Sequence, residues 1–216
     1  MVAKPSVNAD KYIDDASEDD AQESKVTKPA QSGWDSAEKA LKSEKSDDYI
    51  QDLKFDEEPV LVKFIGDGPF KVYRQHWIER QGKKSFVCLE DDCPLCEILG
   101  DEPRNKFSFT VAILSEGAPE IRVLTASPTL FRQLKAAHED ARKGPLNKHF
   151  WALSRTGTGP KTTYIIDMVR ARDLEEEWDL NPVALDEALE EFEALPESTI
   201  YVTPHAELVD IAKASA

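Results

Sequence analysis

Three cysteines, Cys88, Cys93 and Cys96, fall within nine residues of one another, and they constrain the chain more than any other feature. An odd number crowded into one short loop argues against a disulfide framework and for metal ligation. Cys93 and Cys96 form a CxxC knuckle whose two thiolates can meet one tetrahedral zinc, and Cys88 adds a third ligand. A fourth donor is needed. His76, in YRQHWIE, lies on the preceding extended run, where a turn at residues 81–84 can fold it back toward Cys88; His138, His149 and His205 lie further off. The expectation is one zinc held by His76, Cys88, Cys93 and Cys96. Four such ligands close the shell and leave no position for an activated water, so the metal is expected to be structural. Three packed free cysteines are the alternative.

Around this cluster the sequence reads as strands. EPVLVKFIG is a β-branched and aromatic run ending at Gly-Asp-Gly-Pro, and FKVYRQHWIE with SFVCL reads as a hairpin entering the cysteine loop. KFSFTVAILS places Phe107, Phe109, Val111 and Ile113 on one face and is expected to pair with EIRVLTA. PTLFRQLKAAHEDARKG carries Leu130, Leu134 and Ala137 at helical spacing, with Pro128 in its first turn and Gly144 beyond its end. KHFWALSR and TTYIIDMVR are two further strands joined by TGTGPK. Without the cysteine insertion, at about residues 70–106, five strands remain with a helix between the third and fourth. That is the plan of a mainly β OB-fold barrel, with the insertion between strands one and two.

Charge divides the chain of 216 residues into three parts. Residues 1–54 hold 8 basic and 13 acidic groups, residues 55–172 hold 18 and 16, and residues 173–216 hold 1 and 13, out of a net −15. The first part is too polar to offset the entropy of ordering and reads as a mostly disordered arm, with one short helix at 35–45 as a docking segment or a fraying surface helix. The middle part is the expected domain. The last reads as an acidic, partly helical tail with one helix in DLNPVALDEALEEFEALP and another in YVTPHAELVDIAKAS, the latter capped by Thr203. No run of about 18 apolar residues and no secretory leader is present, so the chain is expected to be soluble and not secreted.

The remaining chemical signal is aromatic residues interleaved with basic ones, in FKVYRQHW, KHFWALSR and KTTY. A single-strand groove needs that combination, because bases stack on rings while Lys and Arg neutralise phosphates. The candidate contacts are Tyr73, Arg74, Trp77, Lys83, Lys84, Trp151, Arg155, Lys161 and Tyr164; core packing is the competing role for each aromatic ring. TGTGPK lacks the spacing of a phosphate-binding loop, and HED at residues 138–140 falls on the polar side of a helix. No nucleophile-and-base pattern emerges, so no catalytic residues are assigned and the chain is not expected to be an enzyme.

GWDSAEK, VLVKFIGDGPFKVYRQHWIE, KKSFVCLEDDCPLCEILGDEPRNKFSF and GPLNKHFWALSRTGTGPKTTY resemble single-stranded DNA-binding proteins of tailed actinobacterial phages, over about residues 33–178. More distantly, one His followed by three Cys in an OB-fold insertion, with an acidic C-terminal region, resembles the zinc-containing single-strand binding protein of T-even phages. The cysteines are spaced more tightly here, and the arm is acidic where the distant family has a basic one. The resemblance implies zinc at His76, Cys88, Cys93 and Cys96 and single-strand contacts on the barrel face. It also implies coating of single strands during replication, recombination and repair in the cytoplasm of an infected bacterial host. Expected partners are single-stranded DNA, replication and recombination proteins (polymerase, helicase or primase) on the acidic tail, and further copies along DNA; no membrane partner is expected. The rival expectation is a zinc-stapled interaction adaptor that does not touch nucleic acid.

Overall fold

The computed structural model describes residues 50–79, 82–114 and 118–216; the expected helix at 35–45 and the arm up to residue 49 lie outside the described residues. The described residues belong to one compact unit. Its strands are β1 (Val60–Ile65), β2 (Lys71–Trp77), β3 (Ser85–Val87), β4 (Arg104–Ile113), β5 (Glu120–Ala126), β6 (Phe150–Thr156) and β7 (Thr163–Val169). All pair antiparallel in a seven-stranded sheet of order β3-β2-β4-β1-β6-β7, with β5 on β4.

The ten-residue β4 organises this sheet. Its 110–113 half pairs with β1 and its 104–108 half with β2, so chain 60–77 runs along one edge of β4 with a jog at residues 66–70 instead of a reversal. The cysteine insertion is therefore continuous with the main sheet. Its first strand is extended by the hairpin to β3, and α1 (Pro94–Leu99) follows the cysteine loop.

The sheet is not closed into the five-stranded barrel expected from the sequence. Closure needs a ladder between β5 and β7, but the outer edge of β5 is taken by the arriving chain. Leu53 N donates to Val123 O at 2.7 Å and Val123 N to Gln51 O at 3.0 Å, with Asp52 parallel to Val123. An edge strand whose backbone groups are already satisfied has nothing to offer a further partner.

One face of the sheet packs on α2 (Pro128–Glu139) through Val62, Phe64, Phe109, Val111, Leu124, Leu130, Leu134, Trp151 and Leu153. Ser127 caps this helix by accepting from Leu130 N, Pro128 occupies the first turn, and Phe131 stacks on Phe107 with ring centroids 3.8 Å apart. The opposite face carries Leu61, Ala112, Leu114, Phe150 and Val169, covered by Leu174 of α3 (Ala171–Trp178) and by Leu185 and Leu189 of α4 (Pro182–Leu189). Burial on both faces explains why VLVKFI is nearly continuous in its apolar residues instead of alternating.

Residues 173–216, read from their charge as a tail, are thus packed onto the domain. After α4 the chain crosses the sheet, with Leu195 N donating to Thr110 Oγ1 at 2.8 Å, and Lys71 Nζ donates to the carbonyls of Glu197 and Ile200. It ends in α5 (His205–Ser215), whose Leu208, Ile211 and Ala212 pack on Ile78, Phe86, Cys88, Cys93 and Leu95. Thr203 is not the cap of this helix. Pro204 takes that position, and the buried Thr203 hydroxyl instead accepts from Lys83 Nζ at 3.1 Å. No helix among the described residues is long and apolar enough to cross a membrane.

Candidate metal centre and the adjoining basic face

Four side chains from three local structures converge beside β2. His76 comes from the strand, Cys88 from the residue after β3, and Cys93 and Cys96 from the start of α1. Pro94 opens the helix, so Cys93 at its cap and Cys96 in its first turn lie about one turn apart on the same side, Cys96 N donating to Cys93 O at 3.0 Å. Gly100 closes it in the left-handed conformation, φ 62°, its N–H returning to Cys96 O, and this sharp exit delivers Asp101 to the imidazole. Asp101 Oδ2 lies 2.7 Å from His76 Nδ1, leaving Nε2 facing the sulfurs.

Nε2 is 3.4 Å from Cys93 Sγ and 3.5 Å from Cys96 Sγ, Cys88 Sγ is 3.7 Å from Cys96 Sγ, and all four donor atoms lie within 4.8 Å of one another. Zinc–sulfur bonds of about 2.3 Å and zinc–nitrogen bonds of about 2.0–2.1 Å place tetrahedral ligands roughly 3.5–3.8 Å apart. These three pairs fit that spacing, and the remaining pairs, within 4.8 Å, are close to it. His76 is fully buried and Cys88 and Cys93 are buried, so the group is closed to solvent on most sides. A carboxylate on the second imidazole nitrogen is the usual outer partner of a metal-bound histidine.

The thiols alone make a poor cluster. Burial, then the neighbouring Cys88 and Cys93 sulfurs, push Cys96 up to about 12, and burial pushes Cys88 upward. Cys93 is opposed by the same burial, but backbone N–H groups of Leu89, Cys96 and Leu95 outweigh it and bring the thiol to about 7. Three sulfurs packed this tightly all become thiolates only around a cation. His76, Cys88, Cys93 and Cys96 are therefore a site able to hold a metal of the zinc type.

The residues singled out as nucleic-acid contacts separate into different environments. Trp151 is fully buried in the core under β6, where Nε1 donates to Leu146 O at 2.7 Å, so it is corrected from a contact to a core residue. Arg74 lies on the metal side of β2, bonded to Glu90. Lys83 reaches Thr203 and sits 4.6 Å from the Tyr201 ring centre, and Lys84 is paired with Glu79 at 2.6 Å. Arg155 and Tyr164 stand opposite each other across β6 and β7, and Lys161 is exposed in the turn between those strands. Gly157 holds that turn at φ 77°, and a Cβ there would come within 2.5 Å of Lys161 O. Gly157→Ala is accordingly expected to displace Lys161, which a shift of its backbone amide in a two-dimensional NMR spectrum would register.

Tyr73 and Trp77 do share a face. Alternation along β2 puts Tyr73, Gln75 and Trp77 opposite to His76, and their cross-strand neighbours Lys106 and Arg104 stand beside Tyr73 and Gln75. Trp77 is 63% exposed. Gln75, Trp77, Arg104 and Lys106, with His76, Asp101 and Glu102 at the metal end, line a cleft of about 300 Å³. Burial and the adjacent Arg104 lower the pKa of Lys106, and an anion placed between the two cations would offset their mutual repulsion. Arg104 and Lys106 were missed as contacts, yet their signal is legible: with Phe107 and Phe109 inward, residues 104 and 106 must face outward.

No protein-family model matches this chain, and no curated protein and no solved structure matches it either.

Proposed function

We propose that this chain is a non-enzymatic, sequence-tolerant single-stranded DNA-binding protein with one structural zinc, which coats single strands during phage DNA replication, recombination and repair. The observation that carries the proposal is the cleft on β2 and β4. It combines an exposed indole with two cations beside the metal cluster. Stacking contributes about 1–3 kcal/mol per engaged base, and cations add a salt-dependent share by releasing counterions from phosphate.

The strand order supports the same reading. The path β5-β4-β1-β6-β7 is that of an OB-type sheet left open at its seam, and the cleft lies on the strands and insertion that such a fold uses for oligonucleotides. His76, Cys88, Cys93 and Cys96 hold the zinc, which locks β2 to α1 and so sets the position of Trp77 against Arg104. The acidic outer surfaces of α3 and α4 are offered to replication and recombination proteins.

The test is tryptophan fluorescence of the zinc-loaded protein titrated with oligothymidine and with duplex at two salt concentrations. Quenching by the single strand, weakened by salt, is the expected result. Trp77→Ala is expected to weaken binding about 5- to 100-fold with an unchanged thermal midpoint, since the side chain is exposed. Silence toward both nucleic acids would overturn the proposal and favour an interaction adaptor.

A further inference from the structure

At the open seam of the sheet, between the edges of β5 and β7, lies a second cavity of about 240 Å³. Its floor is apolar, with Leu130 of α2. Its walls include Phe55 and Tyr164, whose ring centres are 6.2 Å apart and tilted by 55°, and its rim carries Lys54, Thr125 and Arg155. Phe55 and Tyr164 are both half-buried and still border open space, and Lys54 and Arg155 are exposed. The volume is below the about 300–1,000 Å³ of sites that enclose a drug-sized ligand, which suits one planar ring system better than a whole nucleotide.

The cavity connects with the face described above. Thr125 stands opposite Ser108 on β4, two residues along from Lys106 and so the next position on the same face, which brings the rim next to the basic face. We infer that the cavity takes a nucleobase turned out of a single strand whose neighbouring bases and phosphates lie on the β2–β4 face. The base sits against Phe55 and Tyr164, and Lys54 and Arg155 meet its flanking phosphates. This rests on the single-strand reading.

One local feature makes the inference sharp. Arg155 is not idle: its Nε and Nη2 both donate to Asp56 Oδ1, at 3.2 and 2.9 Å, and Asp56 is the residue after Phe55 on the segment that leaves the edge of β5 and leads into β1. The carboxylate occupies the position that a phosphate would need. An exposed pair of this kind is weak, so a phosphate can replace it at little cost, and removing the carboxylate should help binding.

The experiment uses the full zinc-loaded chain and a labelled oligothymidine, followed by anisotropy. Phe55→Leu and Tyr164→Leu keep apolar volume but remove the rings, and each is expected to weaken binding about 5- to 100-fold. Asp56→Asn is expected to strengthen it severalfold. A merely structural role for this segment would not produce that opposite sign. Because a ring substitution can also disturb packing, ultraviolet cross-linking of iodouracil-substituted oligothymidine to the unsubstituted protein gives an independent readout, with adducts expected on Phe55 or Tyr164. Unchanged affinity in all three variants, with adducts confined to Trp77 and Tyr73, would overturn the cavity while leaving the single-strand reading in place. A protein that ignores oligothymidine altogether would overturn both.

Discussion

A strong chelator is expected to release one equivalent of zinc and to unfold the region around the cysteines while the β1–β4–β6 core persists. The difference follows from where each part draws its stability. The main core, from Val62 to Leu153, has its own α2 and owes nothing to the metal. The cysteine loop has no such support. Cys88 and Cys93 are themselves members of the small cluster that joins Phe86 and Leu95 to Leu208 and Ile211 of α5. Structural zinc contributes about 10–16 kcal/mol in small metal-folded units, as much as a whole domain's usual margin of about 5–15 kcal/mol. Chelation should therefore abolish hydrogen-exchange protection over residues 84–101 and in α5, and lower the first thermal transition by tens of degrees. Cys93→Ser is expected to do the same without chelator. Asp101→Asn should fold but hold zinc about 10- to 100-fold more weakly, because it touches only the outer imidazole nitrogen. A melting curve that ignores the chelator would leave three packed thiols as the better description.

The metal cluster was legible because its chemistry is written in residue types and local spacing. Cysteines at 88, 93 and 96 must lie near one another whatever the fold, and only the fourth ligand needed a turn to bring it close. The strands and α2 were legible for a similar reason, since apolar period reports which face is inward. What the chain could not announce was pairing between distant segments. Whether β5 closes on β7 depends on who reaches its edge first, and nothing in Gln51–Leu53 marks that segment as the occupant.

Two tryptophans on separate strands of the one sheet, β2 and β6, make the same point about the site. Trp77 and Trp151 both sit beside basic residues in sequence, and stacking and core packing both call for a large ring. They differ only in strand parity relative to the core. Trp151 opposes Val62 on β1, which faces α2, whereas Trp77 alternates away from His76 and emerges at the cleft. Charge misled in a parallel way at the other end. A net −12 over residues 173–216 reads as a solvated tail, but the five leucines and isoleucines that it buries are a minority of its positions and set its structure nonetheless.

Deleting residues 173–216 is accordingly expected to cost the protein its fold. The truncation would remove Leu174, Leu185 and Leu189 from over Leu61, Leu114 and Phe150, and Leu208 and Ile211 from over Phe86 and Leu95. Single Leu→Ala changes at such positions cost about 2–5 kcal/mol each, so losing five together exceeds the whole of a typical domain's stability. The truncated chain should be insoluble or lack a cooperative melt, and any loss of DNA binding by it would say nothing about charge. The discriminating variant changes charge alone: Glu175, Glu176 and Glu177 are exposed on α3, and Glu190, Glu191 and Glu193 are exposed after α4. Replacing these six with Gln should leave the thermal midpoint within a few degrees, as exposed substitutions generally do. If the acidic surface repels DNA over a distance, single-strand affinity rises at low salt and the gain vanishes as the Debye length shrinks to about 8 Å near physiological ionic strength. An unchanged affinity at every salt concentration would assign those carboxylates to partner proteins or to solubility, and a stable, monomeric truncated domain would contradict the packing argument itself.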